Sequence, residues 1–106
     1  MSGKKQFEHG LEIPHEAIGE FCRKNDIRRL SIFGSVLRED FRTDSDIDIL
    51  VEFNESARVG YFAMARMTRE LSELFGRAVD LRTPAELHAA FRNEVMAEAL
   101  VEYDAA

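Results

Sequence analysis

Ser31-Ile32-Phe33-Gly34-Ser35, a spacer of ten residues, then Asp46-Ile47-Asp48-Ile49-Leu50-Val51 is the stretch on which the reading of this chain turns. Its second half, continued to Phe53, is rich in strand formers. Side chains of a strand alternate between faces. Asp46 and Asp48 therefore fall on one face and Ile47, Ile49 and Val51 on the other. Two neighbouring carboxylates repel each other and are costly to hold beside an apolar core. A divalent cation relieves that cost. The turn Gly34-Ser35 offers backbone N–H groups and a hydroxyl, which suit phosphate oxygens. The combination points to a site for a metal-bound nucleoside triphosphate.

A third carboxylate lies downstream. Val79-Asp80-Leu81 sits in a short strand expected over residues 78–82, and alternation turns Asp80 away from both apolar neighbours. If that strand lies beside residues 46–53, Asp80 joins Asp46 and Asp48 in a hard-oxygen site suited to Mg²⁺. The alternative is simple exposure on an edge strand. A calcium-hand loop is a competing metal reading, because Asp44, Asp46, Asp48 and Glu55 occupy its positions 1, 3, 5 and 12. That loop needs glycine at position 6, where this chain has Ile49, and residues 49–53 read as continuous strand. The calcium reading is rejected.

Around this centre the pattern is helix, strand, short helical turn, strand, helix, strand, helix. The first helix opens at Pro14 with an apolar stripe of Ile13, Ala17, Ile18, Phe21 and Cys22; Asn25-Asp26 ends it. Residues 28–33 form the first strand. A helix over 60–75 carries Met64, Met67, Leu71, Leu74 and Phe75 at helical spacing, a core stripe, with Gly76 as its stop. Thr83-Pro84-Ala85-Glu86 reads as a capping box opening a last helix, with Leu87, Phe91, Val95 and Ala99 on one face and a break near Arg92-Asn93. The fold class is α/β (α+β), a small mixed sheet flanked by helices. Residues 1–12 are expected as a flexible tail and 13–106 as one domain.

At 106 residues the chain can bury one core without staples. The lone Cys22 excludes an internal disulfide and suits a reducing cytoplasm. No apolar run approaches the length of a membrane span, and Met1 to Gln6 lacks the apolar segment of a signal peptide. The net charge of −6 argues against nucleic acid as a direct partner. Arg23, Lys24, Arg28 and Arg29, with Arg38 and Arg42 in the spacer, read equally as a solvated surface or a phosphate-facing patch. His9, His15 and His88 have no ligand spacing with one another or with Cys22. Tyr61 and Tyr103 are open to self-modification if exposed.

The Gly34-Ser35 turn, the ten-residue spacer and Asp46-Ile47-Asp48, with Asp80 downstream, resemble the signature of the minimal nucleotidyltransferases of the DNA polymerase β-like superfamily. The resemblance runs from about Ile13 to Tyr103. It implies the nucleotidyltransferase fold and AMP transfer from ATP to a hydroxyl. Family members of this size are often encoded beside an HEPN-domain toxin, and the better-studied ones are antitoxins that adenylylate that toxin on tyrosine. The same role, with an HEPN-domain toxin as partner and a homo- or hetero-oligomer as assembly, is implied here. Residue by residue, the resemblance makes Asp46 and Asp48 ligands of two Mg²⁺ ions. It makes Asp80 a ligand of the catalytic ion that helps draw the proton from the attacking hydroxyl. Gly34 and Ser35 would hold the β- and γ-phosphates, and Arg38 matches a spacer arginine and would contact phosphate. Glu39 departs from the glycine common in the family. Two other readings stay open: a module that neutralises its partner by contact alone, and a transferase with a small-molecule acceptor. The complete set Gly34, Ser35, Asp46, Asp48 and Asp80 argues against a decayed site. The short chain argues against a pocket for a small acceptor.

Overall fold

The computed structural model of the chain describes residues 4–6, 12–34, 46–87 and 89–105. Strand β1 (Lys4–Gln6) pairs antiparallel with β2 (Glu12–Pro14). Helix α1 (His15–Lys24) follows, then β3 (Ile27–Phe33), β4 (Ile47–Phe53), α2 (Tyr61–Phe75), β5 (Val79–Arg82), a 3₁₀ turn (Pro84–Glu86), α3 (Ala89–Glu98) and β6 (Leu100–Asp104). The main sheet has the order β5-β4-β3-β6. β4 runs antiparallel to β3 and parallel to β5, and β3 runs antiparallel to β6. The sheet is mixed, as expected. The parallel pair is joined through α2, because two parallel neighbours need a crossover between them.

The apolar pattern explains the layering. Ile18, Phe21 and Cys22 of α1 and Met67 and Leu71 of α2 share one buried cluster with Leu30, Ile32, Ile47, Ile49, Val51, Val79 and Leu81 of the sheet. Burying a large aliphatic side chain is worth roughly 1.5–3 kcal/mol, so this single layer holds the domain. Asn25 ends α1; its side-chain N–H₂ donates to the Phe21 carbonyl at 2.8 Å, and Asp26 takes a left-handed conformation at φ 58°. Gly76 ends α2 at φ 72°, its N–H donating to the Ser72 carbonyl at 2.9 Å. Leu74 departs from the expected stripe and is exposed, at the edge of the helix's buried face.

The opposite face of the sheet is not open along its whole length. Leu50 and Ser31, which pair across β4 and β3, are both buried there without joining the main cluster. Exposure rises toward the start of β4.

Three readings of the last third need correction. The Thr83–Glu86 box is formed, with the Thr83 N–H donating to Glu86 Oε1 at 2.8 Å, but it opens the 3₁₀ turn and not a helix. Helix α3 starts only at Ala89 and runs unbroken through Arg92-Asn93. Leu87 is extended at ψ 140° and buried, and this sets the interruption earlier than expected. Lastly, Leu100–Asp104 is a strand where no strand was expected. It completes the sheet beside β3. Within the stretch expected as a tail, Lys4–Gln6 is the segment that pairs with β2. The short helical turn expected in the spacer lies outside the described residues. Among the described residues, no helix is long and apolar enough to cross a membrane.

Candidate active site

Gly34 closes β3 and begins the site. Its φ of +80° lies in the left-handed region, which only glycine enters without strain. A Cβ built there would overlap the Asp48 carboxylate. The overlap follows from the register: Phe33 pairs with Asp48, so the first residue past β3 packs against that side chain. The absent side chain thus makes room for a carboxylate beside the turn.

Asp48 in turn pairs with Asp80 across the parallel β4–β5 ladder. Directly paired residues project from the same face of a sheet. Ile47 and Ile49, fully buried, face the core, and Asp48 and Asp80 face the other way, each half-buried. The Ile47 N–H donates to the Ala78 carbonyl at 2.9 Å and pins the starts of β4 and β5 together. Asp46 stands exposed one residue ahead of β4, at the same end of the sheet. Gly34, Asp48 and Asp80 are brought together through the two registers. Ser35 and Arg38, and with them Glu39, lie outside the described residues.

A residue that sequence reasoning missed completes the picture. Arg82 forks onto Asp80, Nε to Oδ1 at 3.1 Å and a terminal N–H to Oδ2 at 3.4 Å. Asp80 holds the guanidinium pKa above its ordinary value, first through these hydrogen bonds and then through its charge, with Glu86 and Asp48 adding smaller pulls in the same direction. The signal was legible: residues two apart on a strand share a face, so Arg82 was bound to stand beside Asp80. In this arrangement, no group of three or more Asp, Glu, His or Cys side chains among the described residues is placed to hold a metal ion. The carboxylates nonetheless supply the hard oxygen donors that Mg²⁺ requires, in a cradle that a Cβ at Gly34 would fill.

Of the basic residues, Arg38 and Arg42 lie outside the described residues and Arg23 is exposed on α1, while Lys24, Arg28 and Arg29 pair with carboxylates. Arg28 and Arg29 pair with Glu52 at 3.1 and 3.5 Å, and Arg29 also pairs with Asp104 at 3.4 Å. These pairs lie at the far end of β3 from Gly34. Lys24 reaches Glu70 at 3.3 Å. His15 Nε2 lies 2.6 Å from Glu102 Oε1 and joins α1 to β6; His9 and His88 lie outside the residues whose side chains are described. A cleft of about 710 Å³ opens between the start of α2 and the far ends of β4 and β5, lined in part by Phe53, Tyr61, Met64 and Leu81. None of the three aspartates lines it. It is a groove on the helix side of the sheet, and the carboxylates, not the volume, mark the candidate site.

The comparisons with known proteins agree with this geometry. The model of the nucleotidyltransferase domain family matches residues 15–102. A Methanocaldococcus jannaschii protein named as a candidate protein adenylyltransferase is 38% identical over 77 residues, which cover 73% of this chain and 81% of that protein. Among solved structures, a toxin-antitoxin crystal structure with AMP-PNP superposes with a TM-score of 0.70 at 19% identity, covering 87% of this chain and 74% of the other. A complex of the tri-AMPylated HEPN toxin of Shewanella oneidensis with its MNT antitoxin gives a TM-score of 0.62 at 18% identity, covering 85% and 69%. At those identities the two structures speak for the fold alone. A mixed sheet that brings Asp48 and Asp80 into register beside Gly34, a family match over most of the length and this level of identity lead to one conclusion: the chain belongs to the nucleotidyltransferase domain family.

Proposed function

We propose that this chain transfers AMP from ATP to a hydroxyl, a tyrosine, of a partner protein, and that the partner is an HEPN-domain toxin for which the chain is the antitoxin. The relative named for protein adenylylation and the structural likeness to antitoxins bound to HEPN toxins support the acceptor and the partner. The toxin-antitoxin structure with AMP-PNP supports a triphosphate substrate. The single observation that carries the chemistry is the packing of the Asp48 carboxylate against Gly34, with Asp80 in register beside it.

In this reading Gly34 and Ser35 hold the β- and γ-phosphates through backbone N–H groups and the serine hydroxyl, and Arg38 adds a phosphate contact. Asp46 and Asp48 hold two Mg²⁺ ions, and Asp80 holds one of them. A metal held by these carboxylates would supply charge neutralisation at the reacting phosphate and the departing pyrophosphate. Asp80 accepts the proton of the attacking hydroxyl at a carboxylate oxygen. The chain's own work is to position these groups and to place negative charge where cations are needed. The net charge of −6 suits a basic surface on the partner.

Transfer of radiolabel from α-labelled ATP to a co-purified partner tests the proposal. Asp48→Asn and Asp80→Asn are each expected to cut transfer at least about a hundredfold, since each removes a metal-binding charge. Undiminished labelling with both variants would refute the assignment. Metal-dependent labelling of the partner by the wild-type chain separates a working transferase from a module that neutralises by contact.

A further inference from the structure

The third carboxylate is already in use. Asp80 and Arg82 stand on the same face of β5, and the guanidinium covers both Asp80 oxygens. β5 runs parallel to β4, so Arg82 pairs with Leu50 while its side chain reaches back toward the Asp48–Asp80 pair. A unit positive charge therefore lies at the carboxylate that the proposed function gives to a metal ion. The pair is open to water, with side chains 47% and 40% exposed, so it is held by a weak, exposed ion pair and not by burial. Glu86, on the turn that follows, attracts the guanidinium weakly while its Oε1 accepts from Thr83.

From this placement we propose that Arg82 is a resident counter-cation of Asp80, and that a divalent ion entering the site must displace it. The inference rests on the reading of Asp80 as a metal ligand. Arg82 here is a positioning residue. It keeps Asp80 neutralised and oriented before metal arrives, and it lowers the affinity for metal alone. The fork costs an entering ion two hydrogen bonds and the repulsion of one positive charge. A seated ion would take the place of the guanidinium on the Asp80 oxygens.

Calorimetric titration of Mn²⁺ into the purified full chain, without nucleotide, tests this. Four variants are compared with the wild type: Arg82→Gln, Asp80→Asn, the double variant, and Arg69→Gln. The last removes one positive charge from an exposed position on α2. Arg82→Gln is expected to bind Mn²⁺ about two- to fivefold more tightly, the size of an exposed ion pair. Asp80→Asn is expected to bind more weakly, and Arg82→Gln added to it is expected to bring no gain. Arg69→Gln is expected to match the wild type. If Asp80→Asn weakens binding but Arg82→Gln does not tighten it, the Arg82 inference falls and the metal site stands. An equal gain from Arg69→Gln also overturns the inference, because net charge would then explain it. If Asp80→Asn binds Mn²⁺ like the wild type, the metal-ligand reading itself fails.

Discussion

Two glycines separate strain from space. Gly76 and Gly34 both take left-handed conformations, at φ 72° and φ 80°. A Cβ at Gly76 meets nothing within 4 Å, whereas one at Gly34 meets the Asp48 carboxylate. Gly76→Ala should therefore cost only the backbone term, about 1 kcal/mol in urea unfolding, with transfer activity retained. Gly34→Ala should cost about 2 kcal/mol or more and should also lose activity, because Asp48 has to move. Equal activity in the two variants would contradict the role given to the Gly34–Asp48 contact. The left-handed turn at Gly34 was foreseeable from the residue type. The overlap was not, since it depends on which β4 residue faces the end of β3.

At the scale of elements, β6 is the instructive one. Its residues alternate weakly, with Leu100 and Val101 exposed and Glu102 carrying a side chain only 1% exposed. A strand whose buried position is a carboxylate gives no periodic apolar signal by which to recognise it. Its place comes instead from pairing with β3 and from the bond between Glu102 and His15. Removal of residues 100–106 should expose the β3 edge and lower solubility, seen as larger species in size-exclusion chromatography. Glu102→Ala, in the full chain, should cost about 1–3 kcal/mol through the loss of a buried hydrogen-bonding group. By contrast β4 was legible, because Ile47, Ile49, Val51 and Phe53 alternate onto one face and Asp48 onto the other, with Asp46 just ahead of the strand and Leu50 the apolar exception on the Asp48 face. The capping box at Thr83–Glu86 was legible as chemistry and misleading as an element. Its bonds form equally well around a 3₁₀ turn, and only the burial of an extended Leu87 decides against a continuous helix.

For the molecule as a whole, one shared cluster joining α1, α2 and the sheet predicts a single cooperative unfolding transition. Cys22 sits inside that cluster, and burial pushes its thiol up to about 12. The unfolded thiol ionises near 9, so the native state keeps a proton that the unfolded state loses above that pH. Its contribution to stability is complete below pH 9 and declines as pH rises toward 12. The midpoint of urea unfolding, followed by far-UV circular dichroism, should fall more between pH 8 and pH 10.5 in the wild type than in Cys22→Ala. The same placement implies that native Cys22 resists thiol reagents until the core opens. Sequence alone determined the residue chemistry of this protein: which strand carries the aspartates, where Gly34-Ser35 makes a turn and Gly76 ends a helix, and that a mixed α/β fold surrounds them. Those properties reside in single residues and in short periods of two or 3.6. Only the tertiary structure decided that Asp48 rests on Gly34, that Asp80 stands beside it, that Arg82 already occupies Asp80 and that β6 closes the sheet. Each of these depends on the register between strands far apart in the chain, and register is set by how the whole core packs, which no local pattern encodes.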